Sequence, residues 1–285
     1  MEHSIRHPAV SGSFYPSDPQ RLRSLVNGLL RNAPVENAEN ATARAIIVPH
    51  AGYGFSGSTA ATAYNMVRNR SCKTVLLTGD AHTCPFEGIA LDGHELWESP
   101  IGNVRVNTAL AEQLHAKHPE LFFCSETAHR LDHILEVQLP FIQCALKRGF
   151  TILPLLFGKN PSGIYRTAAA IILAVLQPGD LVIASSDLSH YPSSHDARSI
   201  DCKTIDYIVK KDIRKLEEHV RVTMERNIPH EETLFCSPDA IRTVMQLAHL
   251  DGWKAKPLCY RQSGNAPFAD KKAVVGYGAV AFYES

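Results

Sequence analysis

The residues with the greatest chemical reach in this chain stand just beyond short apolar runs. Residues 45–48 (AIIV) lead into Pro49-His50-Ala51-Gly52-Tyr53. Residues 74–77 (TVLL) lead into Thr78-Gly79-Asp80-Ala81-His82, and residues 181–184 (LVIA) into Ser185-Ser186-Asp187-Leu188-Ser189-His190. Each run delivers a histidine, and two of them an aspartate as well. Imidazole is a metal ligand when neutral and a proton carrier near pH 7. Two other segments carry compatible groups. In Asp132-His133-Ile134-Leu135-Glu136 the imidazole and the carboxylate are three residues apart and would share one helical face. In Leu234-Phe235-Cys236-Ser237-Pro238 the thiol precedes a proline of the kind that opens helices. A helix N-terminus favours thiolate, which makes Cys236 the most plausible reactive or ligating cysteine. Asp187 or Glu136 is suited to hold the distal nitrogen of a ligating imidazole. His190 and His133 are suited to give and take protons.

These groups meet only if the runs are neighbouring strands. The first three runs and residues 151–156 (TILPLL) are continuously apolar, the pattern of strands buried on both faces. Helix-like segments lie between them, at 59–67, 107–116, 132–148, 164–176, 197–218 and 238–250. The alternation implies an α/β fold, one domain over residues 1–285, with a mostly parallel central sheet flanked by helices on both faces. Residues 273–282 (AVVGYGAVAF) alternate in part and suggest an antiparallel partner at an edge. Ligands of such sheets bind beyond the carboxyl ends of the strands, where His50, His82, Asp187 and His190 fall. The glycine-rich residues 52–58 lack the lysine and spacing of a phosphate loop and suit a turn and cap. The mixed-sign stretch 210–221 suits a solvated helix face.

Composition narrows the partners. Lys plus Arg and Asp plus Glu both number 29, so the net charge is zero with His neutral. That argues against nucleic acid and against an anionic membrane surface. No apolar stretch reaches membrane-span length; the longest, 168–176, is about half of what a span needs. The N-terminal segment has no apolar run of signal-peptide length. A cytoplasmic protein without membrane contact is expected. Seven cysteines without a CxxC suggest reduced thiols rather than disulfides or a zinc ribbon.

Five stretches resemble, in order, the motifs of the Memo family: residues 6–16 (RHPAVSGSFYP), 49–53 (PHAGY), 132–141 (DHILEVQLPF), 185–190 (SSDLSH) and 273–282. The likeness is greatest to the prokaryotic members, protein B of the AmmeMemoRadiSam system. It implies a fold similar to the class III extradiol ring-cleaving dioxygenases and a site of two His and one Cys. Carried over, these ligands are His50, His82 and Cys236, with His190, Asp187 and His133 in the same cleft and His190 matching the dioxygenase acid/base. The implied cofactor is iron, as Fe(II); copper or zinc suits the same borderline-soft donors. The implied function is metal-dependent redox or oxygen-related chemistry on a small substrate. The alternatives are a non-enzymatic adaptor taking an anionic, small-molecule or phosphorylated peptide ligand in the same cleft, and a hydrolase using Cys236, His190 and Asp187. The resemblance also implies a functional link to a radical-SAM protein. Two positions depart from the family pattern. Asp80-Ala81 stand where Pro-Ser or Pro-Asn is usual, and Ser237 stands where Gly is common. Asp80 is therefore expected to add a negative charge near the ligands.

Overall fold

The computed structural model describes residues 4–34, 42–265 and 269–284. In chain order its elements begin β1 (Ile5–Arg6), α1 (Pro19–Asn32), β2 (Ala43–Val48), α2 (Tyr53–Asn65), β3 (Thr74–Asp80), β4 (Ile89–Leu91), β5 (Leu96–Ser99) and β6 (Gly102–Arg105). They continue α3 (Thr108–Lys117), β7 (Phe122–Cys124), α4 (Glu126–Arg130), α5 (Leu139–Ala145), β8 (Thr151–Phe157), α6 (Ile164–Val175) and β9 (Leu181–Ser185). The last are α7 (Ser194–Lys210), α8 (Ile213–Glu225), α9 (Pro238–Leu250), β10 (Lys254–Gln262) and β11 (Gly276–Tyr283).

The four continuous apolar runs become the centre of an eight-stranded sheet ordered β10-β11-β2-β9-β3-β8-β4-β7. β2, β9, β3 and β8 are parallel neighbours. β11 is antiparallel to both β2 and β10, and β4 is antiparallel to β8. The segment expected at an edge is thus antiparallel, but β10 covers it and forms the edge itself. Alternate residues of the central strands face opposite sides. Ile46, Val48, Val75 and Leu77 pack with α1, α2 and α5, while Ala45, Ile47, Leu76 and Leu153 pack with α6 and α9. Helices on both faces are the reason these strands carry no polar alternation.

Three helix boundaries differ from the sequence pattern. α2 begins at Tyr53, because Gly54 and Gly57 lie within it; a Cβ on Gly57 would come 2.9 Å from Leu29. The 197–218 stretch is two helices, broken where Lys211 takes a left-handed φ of 56° and Asp212 caps α8. Residues 132–135 are not helical. The Asp132 side chain accepts the N–H of Ile134 in a turn, and Pro140 lies in the first turn of α5.

Glu136 was expected beside a ligating imidazole. It is instead fully buried and ties the N-terminal arm to the body. Its carboxylate takes Arg6 Nη1 at 2.7 Å, the N–H groups of Ala9 and Val10 at 2.7 and 3.0 Å, and the Tyr15 hydroxyl at 2.5 Å. The Arg6 guanidinium spends its other donors on the carbonyls of His129 and Asp132 and lies over the Trp97 ring. A buried pair of this kind is costly to break from one side, because the remaining charge is stranded. Glu136→Ala is expected to lower unfolding free energy by about 3–5 kcal/mol in a urea titration.

Among the described residues no helix is long and apolar enough to cross a membrane.

Candidate metal centre

His50 lies two residues beyond β2, His82 two residues beyond β3, and Cys236 two residues before α9. Their donor atoms all lie within 4.8 Å of one another. Each ligand segment is held by its main chain to a buried carboxylate. Asp187 Oδ1 accepts the N–H of His50 at 2.8 Å and of Ala51 at 3.3 Å. Asp132 Oδ2 accepts the N–H of His82 at 2.7 Å and of Thr83 at 3.2 Å. Asp80 accepts the N–H groups of Asp239 and Ala240 at 2.9 and 3.0 Å, which caps α9 and so fixes the loop that carries Cys236.

The ring nitrogens are sorted by their neighbours. Ser185 Oγ gives its only proton to the Ile134 carbonyl at 2.6 Å and accepts from Gln138 Nε2 at 2.8 Å. Toward His50 Nδ1, 3.2 Å away, it is left only a lone pair, so Nδ1 carries the proton and Nε2 is bare. His82 Nδ1 donates to the Asp80 carbonyl at 2.7 Å, and His190 Nδ1 to the Leu188 carbonyl at 2.8 Å. All three imidazoles therefore present an Nε2 lone pair, the form that binds metal. His50 Nε2 faces Cys236 Sγ at 3.1 Å, and Sγ also accepts the N–H of Asp187 at 3.2 Å.

Three rings crowd together, with centroids 5.2 Å apart for His50–His82, 5.8 Å for His50–His133 and 6.0 Å for His82–His133. Phe14 packs edge-on against His133 at 4.7 Å. Burial, then the neighbouring imidazoles His82, His133 and His190, hold His50 well below the ordinary histidine range. Burial likewise lowers His133 and His190. These rings are neutral at pH 7, as ligation requires.

Several sequence expectations change. The Cys236 thiol is not activated by its helix: burial, followed by the Asp187 carboxyl, pushes it well up, and Asp80 already occupies the first amides of α9. Asp80 points at that helix rather than into the cleft, and burial raises it to about 8. The two departures from the family pattern touch each other, since the Asp80 N–H donates to Ser237 Oγ at 3.2 Å. Asp187, raised to about 7 by burial, holds backbone amides rather than a distal imidazole nitrogen, and that role falls to Ser185 Oγ and two carbonyls. Cys236, His190 and Asp187 share the cleft but do not hydrogen-bond in series; the imidazole against the thiol is His50. All seven cysteines are free. Sequence reading missed the clamps Asp132 and Asp80 and the hydroxyl of Ser185. It also missed Lys159, which follows β8 as His82 follows β3. Asking what comes after the 151–156 run would have found it.

The fold and this donor set define a class, and comparison places the chain within it. A model of the family described as Memo-like protein matches residues 6–281. A MEMO1 family protein of Thermoplasma volcanium is 33% identical over 279 residues, covering 97% of each chain. One from Sulfolobus acidocaldarius is 34% identical, over 98% of this chain and 99% of its own. The solved structure of an uncharacterized protein of Escherichia coli K12 shares the fold, with a TM-score of 0.52 at 13% identity over 84% of this chain and 99% of that one. The chain belongs to the Memo family.

Asp80→Ala removes the cap of α9 and is expected to cost about 1–2 kcal/mol of stability. Metal-free protein treated with iodoacetamide at pH 7.5 and mapped by peptide mass should be labelled at exposed Cys124 and Cys202 well before Cys236. In Asp80→Ala, Cys236 should join the fast group.

Proposed function

We propose that the protein is a metal-dependent enzyme of redox or oxygen-related chemistry, with iron held by His50, His82 and Cys236 and a small substrate admitted beside His133 and His190. Copper and zinc suit the same donors. The observation that carries this reading is the convergence of two imidazoles, each with Nδ1 held by a neighbour, and one sulfur, with one donor atom of each within 4.8 Å of the others. The family's likeness in fold to extradiol dioxygenases supports the same reading.

When bound, such a metal would supply a Lewis acid with positions open to a substrate and, for iron or copper, an electron-transfer site. The remaining steps belong to the chain's own residues. His190, held by the Leu188 carbonyl, presents Nε2 to take a proton from the substrate and return it. His133, half-buried under Phe14, gives the cleft an apolar wall and a second neutral base. Asp187 keeps the His50 and Cys236 segments in register, through its carboxylate on one and its N–H on the other.

Metal analysis of protein purified without a metal-affinity tag tests the proposal. Near-stoichiometric iron or copper, lost in Cys236→Ser and in His50→Ala, is the expected result. Full metal content in both variants would overturn it. Loading must displace the Cys236 proton, which burial makes hard to lose. The affinity for Co²⁺ should therefore rise about tenfold per pH unit between pH 6 and 8, the slope of one released proton. Cys236→Ser should flatten that slope and remove the sulfur-to-cobalt charge-transfer band.

A further inference from the structure

Beside the proposed metal ligands, the Lys159 ammonium has no partner among the described residues. In the register of β3 and β8, Asp80 lies opposite Phe157, and the Ala81 N–H continues the ladder to the Phe157 carbonyl at 2.7 Å. Two residues beyond these partners come His82 on one strand and Lys159 on the other. The Lys159 backbone is pinned there. Its N–H donates to the Phe86 carbonyl at 2.7 Å, and the Gly158 N–H donates to Gly88 at 3.0 Å. Only glycine fits before it, since a Cβ on Gly158 would lie 2.1 Å from the Phe86 oxygen.

Two cavities meet at this lysine. One, of about 670 Å³, is lined by Ala81, Asn160 and Cys236. The other, of about 210 Å³, is lined by His82, Thr83 and Cys84. Lys159 lines both, so it stands between the cavity that reaches Cys236 and the one that reaches His82. The acidic groups of the larger cavity are committed elsewhere. Asp80 holds the amides of α9, while Asp239 and Glu217 lie 3.6 and 3.5 Å from Arg242. Among the described residues none pairs with the Lys159 ammonium, and the side chain is exposed.

We propose that Lys159 is the anion-recognition residue of the site: the ligand of the metal centre carries, beyond the head whose donors reach between His50, His82 and Cys236, a carboxylate or phosphate tail that the Lys159 ammonium binds. This rests on the metal reading above and adds the charge class of the substrate. An ammonium so placed selects by charge rather than by bidentate geometry, as lysine does.

Three probes share an α-hydroxycarboxylate head and differ in the tail: lactate (methyl), malate (carboxylate) and 3-phosphoglycerate (phosphate). Each is titrated into Co²⁺-loaded protein, and the cobalt absorption reports binding. Malate, 3-phosphoglycerate or both are expected to bind at least about tenfold more tightly than lactate, the gain of one charge-assisted bond. Whichever tail gains more identifies the anion. Lys159→Met should abolish the gain and leave the affinities for lactate and Co²⁺ in place. A preference that survives Lys159→Met, no preference in the unmodified protein, or no response to any probe would overturn the proposal. Failure to bind Co²⁺ at all would instead sink the metal reading and this inference with it.

Discussion

Three buried carboxylates bonded to main-chain amides hold the site together. Asp187 grips the peptide of His50, Asp132 that of His82, and Asp80 the first turn of α9 behind Cys236. A carboxyl removed from water is expensive unless its oxygens are bonded. Here the bonds come from loop N–H groups that would otherwise be orphaned at strand and helix ends. Each cost offsets the other, and the outcome is that three loops from different parts of the chain are fixed relative to one sheet edge. The sheet supplies the edge: β2, β9 and β3 are adjacent and parallel, so their carboxyl ends lie side by side.

Glu136 extends the same logic to the N-terminal arm. Its carboxylate accepts two amides and a hydroxyl in addition to the Arg6 ion pair. The arm then places Phe14 against His133. A residue near the start of the chain thus shapes the wall of a cleft by packing on an imidazole more than a hundred residues away.

The central strands, and the placement of His50 and His82 just beyond them, were legible in the sequence for a physical reason. Strands buried on both faces are continuously apolar, and a polar residue just beyond such a run lies at a sheet edge. The clamps were not legible. Asp80 and Asp132 look like any aspartate beside a histidine, and which amides they accept depends on packing between segments distant in sequence. The same holds for the tautomer of His50, which is decided by one hydroxyl proton on Ser185. Helix N-terminal position alone misjudged Cys236, because desolvation outweighs a helix dipole whose amides are already taken. The charge expected from Asp80 in the cleft is likewise missing, because the carboxyl faces α9 and burial favours its neutral form. The small strands β1, β5 and β6 were missed because two to four residues carry too little periodicity to be read.

Because the clamps grasp peptide groups and not side chains, what a loop displays is uncoupled from how it is held. Exchanging His82 or Cys236 for another donor would leave the Asp132 and Asp80 bonds intact. In a scaffold built this way a single codon change can alter the group a loop displays without removing the bonds that hold the loop. The display and the support of each loop are thus open to change separately.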